Sequence, residues 1–303
     1  MQLFLQQLTN GIVLGATYGL VALGYTMVYG IVQLINFAHG EIFMLGGFGA
    51  LTTYLWLPGG TPAAVALPTM LLGGMLVSVT AAMLMERFAY RPLRGAPRLA
   101  PLITALGVSV FLQELVRNFY PHGESARNFP QLLNPDHRFT LPGGAVVNLP
   151  DVATVVVAVT GMIALSTFVR RSRTGRAMQA TAQDPDTARL MGVDTDRIIV
   201  TAFALGAALA AVAGMAQGLR FGQVDFRMGF LIGVKAFTAA VMGGIGNLRG
   251  ALLGGLVLGL IESWGSAITA DKWRDVIAFV LLVLILLVRP SGILGEALGK
   301  ARA

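Results

Sequence analysis

RRSRTGRAMQATAQDPDTARLMGVDTDR, residues Arg170–Arg197, is a strongly polar stretch between two long apolar runs that nevertheless carries a folded pattern. Its opening arginines, Arg170, Arg171, Arg173 and Arg176, follow an uncharged run that begins after Asp151. Arginine clustered at the end of such a run marks the cytoplasmic end of a membrane span. Within the stretch, Thr174 is placed to cap a first helix from Gly175 to Ala182, and Pro185 forces Asp184 out of the helical region. A second helix restarts at once. Asp184 suits its N-cap, Pro185 its first position and Asp186 its positive end, while Gly192 stops it after Met191. A helix of about two turns is unstable alone in water. Something must therefore hold Thr187, Leu190 and Met191, either a partner protein or the chain's own spans.

Composition supports the spans that this reading needs. The chain has 303 residues, 55% of them hydrophobic and 12% charged, with a mean hydropathy of +0.71. That excludes an ordinary soluble domain and predicts an all-α, polytopic transmembrane helical bundle. With no cysteine, neither disulfides nor cysteine-ligated metal is expected. His39, His122 and His137 are far apart and lack the spacing of a zinc site, so no metal site is expected. The net charge of +7 lies beside apolar runs, as orientation signals do, and does not point to nucleic acid.

A hydrocarbon core of about 30 Å needs roughly 20 helical residues. Gly11–Ile35 is the first span, and the uncharged run Ile42–Met85 is divided in two by Leu57–Pro62. Glu86–Arg98, with Arg87, Arg91, Arg94 and Arg98, is a cytoplasmic connection. Leu99–Phe119 leads outward, residues 120–150 form an external loop, and Asp151–Val169 returns to the cytoplasmic loop at 170–197. Ile198–Leu219, Phe230–Gly246, Ala251–Ala270 and Val276–Val288 complete about eight to nine crossings. Gly243-Gly244-Ile245-Gly246 makes a broken or re-entrant helix an alternative for the third-last of them. Of the 22 Lys and Arg, 14 fall on segments placed inside, 7 outside and Lys235 in the membrane. The amino terminus is then external and the carboxyl terminus cytoplasmic. Tyr54, Trp56, Trp264 and Trp273 fall near outer interfaces, and Phe88 and Tyr90 near an inner one.

Several residues within or beside spans are candidates for packing or for function. Gly11, Gly15 and Gly19 share one helix face, as do Gly246, Gly250 and Gly254, a spacing that lets helices approach closely. Gln33, Asn36, His39 and Glu41 form a dense polar group. In one reading Asn36 caps the second span and Glu41 is stabilised by its positive end; in the other the group lines a cytoplasmic gate. Lys235 and Glu262 either pair with each other or line a pathway.

No G-x-x-x-x-G-K-[ST] loop is present, so ATP chemistry on this chain is not expected, and no catalytic group stands out. An ion-coupled carrier or channel, or a membrane enzyme, leaves the short capped helix unexplained. LGATYGLVALGYTMVYG from Leu14, INFAHGE from Ile35, GRAMQATAQDPDTARLMG from Gly175 and AAVMGGIGNLRG from Ala239 closely resemble the membrane permeases of branched-chain amino-acid ABC importers, specifically the shorter of the paired permeases. The resemblance covers most of the chain. It implies one permease domain over residues 1–303 and alternating access in a bacterial inner membrane, with lipid around the spans. It also implies a heterodimer with a second, related permease, two cytoplasmic ATPase subunits that carry the ATP and magnesium, and an external substrate-binding protein. This chain itself would bind no cofactor. The stretch at 170–197 resembles the coupling loop that seats in the ATPase, with Gly175, Ala180, Asp184, Pro185, Ala188, Leu190, Met191 and Gly192 matching the family's pattern. The same family includes permeases for urea, short amides and other amino acids.

Overall fold

A computed structural model describes residues 2–34, 36–97, 99–133, 138–140, 143–289 and 291–294. Arg98, His137 and the tail beyond Leu294, all used in the sequence reading, lie outside the described residues. Nine apolar helices account for the expected spans: α1 (Gln2–Val32), α2 (His39–Trp56), α3 (Ala63–Met85), α4 (Leu99–Phe119), α5 (Leu149–Arg171), α8 (Thr195–Phe221), α9 (Met228–Gly243), α10 (Leu248–Ile268) and α11 (Arg274–Val288). Six of these helical segments are long and apolar enough to cross a membrane, while α2, α9 and α11 fall short of that measure. At 1.5 Å per residue, the 16 residues of α9 span only about 24 Å, as expected of a helix stopped by glycine. Gly244 and Gly246 take φ of +102° and +97° at that stop, a region that excludes most side chains.

The helices sort into two layers by burial. The most apolar window of α1 is 89% buried and that of α5 only 17%. A chain in water could not leave faces such as Leu72 and Leu76 on α3, Ile103 and Phe111 on α4, and Leu287 on α11 exposed; in a bilayer they face hydrocarbon. The first span starts earlier than Gly11, because α1 is helical from Gln2.

The central seam joins α1 to α10. A Cβ on Gly15 would lie 2.6 Å from the Cα of Leu256, and one on Gly259 would lie 2.3 Å from the nitrogen of Gly15. The Gly11, Gly15 and Gly19 face therefore brings two backbones together. The second expected glycine face is only partly helical. Gly246 precedes α10, while Gly250 and Gly254 pack against Gly243 and Ala239 of α9.

Two short ribbons tie the connections together at one end. β1 (Arg127–Asn128) pairs with β4 (Gln223–Val224), and β2 (Arg138–Thr140) with β3 (Val146–Asn148). Gln6 of α1 exchanges hydrogen bonds with the backbone of Val146, and Arg220 pairs with Asp151 at 2.8 Å. The start of α1, the 120–148 loop and the 222–227 connection thus share one end of the bundle. At the other end Ile293 N–H donates to Met242 O at 2.7 Å, closing a strap beneath the α9–α10 turn.

Candidate docking helix and buried polar centres

The polar stretch folds as two helices, α6 (Arg173–Gln183) and α7 (Pro185–Leu190). The cap of α6 is Ser172, whose hydroxyl accepts from the Gly175 amide at 2.8 Å, and not Thr174, which lies inside the helix. Gly175 is fixed by proximity: a Cβ there would lie 2.4 Å from the carbonyl oxygen of Val169. Met178 and Thr181 are buried and seat α6 on the bundle, leaving Ala180 exposed.

Asp184 caps α7 as its residue type implies. Its Oδ1 accepts from the amides of Asp186 and Thr187, both at 3.0 Å, and its Oδ2 from the Thr187 hydroxyl. Those bonds, the Thr187 hydroxyl foremost, hold its carboxyl below the usual carboxylate range. Pro185 stands at the first turn, and Gly192 ends the helix with φ +85° as the Val193 amide returns to Ala188 O at 3.0 Å. Only Ala188 of α7 is buried, whereas Leu190 is 88% and Met191 81% exposed. Thr187 and Asp186 are exposed with them.

The loop is fastened to the bundle through pairings that the sequence does not signal. Arg189 Nε donates to Thr195 Oγ1 at 2.7 Å. The next residue, Asp196, pairs with both Arg91 and Arg94, and Arg94 also pairs with buried Glu86. These groups sit where α3 runs on as a π-helical turn (Glu86–Tyr90) and a 3₁₀ turn (Arg91–Leu93), so the expected connection at 86–98 is largely helical. Tyr90 does not belong to an interfacial belt, because it is buried and donates to Asn36 Oδ1 at 2.8 Å. Nothing in the spacing of Arg94 and Asp196, 102 residues apart, signals their pairing.

Asn36 does not cap α2 with its side chain; the N-cap is Ala38, without a side-chain bond. The Asn36 Nδ2 and Tyr25 hydroxyl have no partner among the described residues and line a space of about 10 Å³, the size of one water. His39 is wedged between α1 and α8: a Cβ on Gly24 would lie 2.2 Å from its Nε2, and one on Gly206 3.4 Å from its Cε1. Its ring meets Tyr25 edge-on at 4.8 Å. Glu41, fully buried in the first turn of α2, accepts from Ser109 Oγ and Gln113 Nε2 of α4, both at 2.9 Å. Its Oε2 has no partner among the described residues and points at the backbone of Gly229. Gly206 and Ser109 are near the midpoints of α8 and α4, so His39 and Glu41 stand midway along the bundle.

Lys235 and Glu262 do pair, at 2.8 Å. Lys235 also reaches Asp275 at 2.7 Å, and Glu262 accepts from the Tyr18 hydroxyl at 2.9 Å and lies 3.4 Å from Arg274 Nε. Four helices, α1, α9, α10 and α11, meet in this cluster. Its closeness gives a structural reason for both charges.

Apolar helices in two layers, with opposite ends closed by separate sets of connections, define a polytopic membrane protein, and one end leaves a capped helix uncovered. More specifically, the chain belongs to the family described as "Branched-chain amino acid transport system / permease component", which matches residues 7–286. It is a permease component and not itself an enzyme. It is 46% identical over 299 residues to the high-affinity branched-chain amino acid transport system permease protein BraD of Pseudomonas aeruginosa, covering 97% of this chain and 96% of that protein. The corresponding permease LivH of Escherichia coli K12 is 43% identical over the same length and shares. A probable branched-chain amino acid transport permease, LivH of Methanocaldococcus jannaschii, is 28% identical over 289 residues, or 91% of this chain and 88% of that one.

Proposed function

We propose that this chain is one of two related permease subunits of an ATP-driven importer for branched-chain amino acids in a bacterial inner membrane. The observation that carries the coupling role is α7, a six-residue helix capped at both ends that presents Leu190 and Met191 to solvent. Such a helix cannot hold its shape through nucleation-limited hydrogen bonding alone. Two large apolar side chains on its outer face fit a cleft in a cytoplasmic ATPase. The docking end is then cytoplasmic, with residues 170–197 as the coupling loop, residues 120–150 as an external loop and the amino terminus outside. The carboxyl terminus is cytoplasmic, and residues 1–303 form one permease domain. Branched-chain cargo is the reading favoured by the named transport systems of the relatives.

Energetically, nucleotide must bind the two states of the assembly with different affinity, because a ligand shifts an equilibrium only by that difference. ATP closes an ATPase pair, α7 moves with it, and the spans open the pathway to the other side. A soluble binding protein delivers the amino acid to the end that carries the 120–148 loop.

The test is to tag the chain, extract it in mild detergent from its native membrane and identify by mass spectrometry what copurifies while ATP hydrolysis is measured. Two ATPases and a second permease are expected, with hydrolysis stimulated by binding protein loaded with leucine, isoleucine or valine. Isolation alone or as a homodimer without ATPase activity, even after crosslinking, refutes the coupling role. Stimulation by urea or an amide but by none of the three amino acids refutes the cargo.

A further inference from the structure

At the end of the bundle away from α7, α4 and the start of α9 leave a cleft of about 400 Å³ between them. Its volume falls within the roughly 300–1,000 Å³ of small-molecule sites. Its lining is chemically mixed in a way that lipid contact does not require. α4 contributes Gln113, Glu114 and Arg117, and the facing wall contributes Phe226, Arg227 and Phe230.

Both guanidinium groups rest on the buried Phe226 ring, Arg117 at 5.8 Å and Arg227 at 5.0 Å from its centroid. A cation–π contact of this kind holds a guanidinium near the ring while leaving N–H groups available. Arg117 also meets Glu114 at 3.2 Å, whereas Arg227 forms no ion pair among the described residues. The wall therefore offers a fork of positive donors beside one partly exposed carboxylate. Phe230 and Leu231 lie next to them, each rather less than half exposed. Gln113, which lines the cleft, donates to Glu41 Oε1, so one side chain separates the cleft from the buried carboxylate whose Oε2 has no partner among the described residues.

We infer that this cleft is an entry subsite for a zwitterionic α-amino acid with an apolar side chain. The cargo carboxylate binds the Arg227 guanidinium, its ammonium meets Glu114, and its side chain lies on Phe230 and Leu231. A planar carboxylate matches the guanidinium fork in two parallel hydrogen bonds. Opposite charges on one wall favour a dipolar cargo over urea or a neutral amide, which would leave the Arg227 guanidinium without a charged counterpart. The inference rests on the importer reading and narrows it to a place and a chemical class.

The absence of cysteine from the chain makes the test direct. Leu231→Cys is placed in the otherwise cysteine-free chain of the complete importer in right-side-out proteoliposomes, and labelling by a small membrane-impermeant thiol reagent is timed. Labelling is expected, and leucine-loaded binding protein is expected to slow it several-fold more than leucine-free binding protein does. In parallel, Arg227→Gln is expected to lower import at saturating loaded binding protein about tenfold or more, as loss of a hydrogen bond to a charged group implies, with membrane abundance unchanged. Failure of the reagent to label, equal labelling with loaded and empty binding protein, or undiminished import by the Arg227 variant overturns the subsite. Wild-type proteoliposomes separate the two levels. If they import no amino acid the importer reading itself falls, and if they do while the cleft is unprotected only the subsite falls.

Discussion

Lys235→Met is the perturbation whose magnitude the geometry constrains best. Loss of a neutral interhelical hydrogen bond in a membrane costs on average about 0.6 kcal/mol, which would be hard to detect. The cost here is larger because Lys235 is the closest cation to a carboxylate with no solvent exposure, at 2.8 Å. Removing one partner of a buried ion pair typically costs about 3–5 kcal/mol. Glu262 keeps the Tyr18 hydroxyl at 2.9 Å and Arg274 at 3.4 Å, so the lower end, about 3 kcal/mol, is expected. Asp275 also loses a partner, but its side chain is about half exposed and can turn to water. The assay is thermal unfolding of the purified importer in detergent together with abundance in the membrane. Lys235→Met is expected to be strongly destabilised, and the double variant Lys235→Met/Glu262→Gln to recover to within about 1 kcal/mol of wild type, because no buried charge is then stranded. A single variant as stable as wild type, or a double variant no better than the single, refutes this account of the cluster.

Met191→Asp places a charge on the outer face of α7 without touching the bundle; spans and abundance should be unaffected while ATP hydrolysis is uncoupled from uptake, and full uptake would show that α7 is not a coupling element. Gly15→Ala should cost about 1–3 kcal/mol through overpacking, because the added carbon meets the backbone of α10 at 2.6 Å; Gly107→Ala, with nothing within 4 Å, should be neutral in the same thermal assay. The Asp184 cap should be sensitive to acid in one direction only. Its carboxyl titrates lower in the folded helix than in the open loop, so its contribution is complete above the ordinary aspartate value of about 3.9 and is lost as pH falls below that through the folded value. Amide exchange at Asp186 and Thr187, corrected for the intrinsic rate, should show constant protection from neutral pH to about pH 5 and lose it below pH 4; loss of protection already at pH 6 would refute the cap.

Much of this fold was legible because membrane spans depend on local properties. The termini of α4 match the expected Leu99–Phe119, and α7 matches because each of its signals, Asp184, Pro185 and Gly192, acts within a few residues. The misplaced features depend on distant partners. Ser172 and Thr174 are both acceptable caps, and the choice is made by Gly175 packing against the end of α5. Of the two roles the sequence offers Asn36, the local cap is not formed, because its side chain is drawn to Tyr90, 54 residues away. Tyr90 resembled an interfacial aromatic because its run of neighbours, Arg87, Phe88 and Arg91, is amphipathic. Its burial depends on distant partners, Asn36 and the Phe203 ring. For the same reason Glu41 was recognisable as a polar residue in a span, while Ser109 and Gln113, which hold it, carried no signal of their own.

The placement of these contacts bears on how the docking proposed for α7 would reach the bundle. α7 is exposed on nearly every face, so the force of docking cannot be borne by packing within the helix. In the proposed docking role it would pass through Arg189 on Thr195 and then through Asp196, which is clamped to Arg91 and Arg94. Arg94 grips Glu86 at one end of the π-helical turn, and Tyr90 at the other end holds Asn36, three residues before His39. A π-helical turn is a local departure from the regular ladder and is often found at functional positions. It lies between an ionic clamp at Glu86 and the buried Tyr90, and a 3₁₀ turn follows it directly. The loop between α1 and α2 is held from the same tyrosine, so motion at the docking end has a continuous covalent and hydrogen-bonded route to the centre of the bundle, where His39 and Glu41 stand.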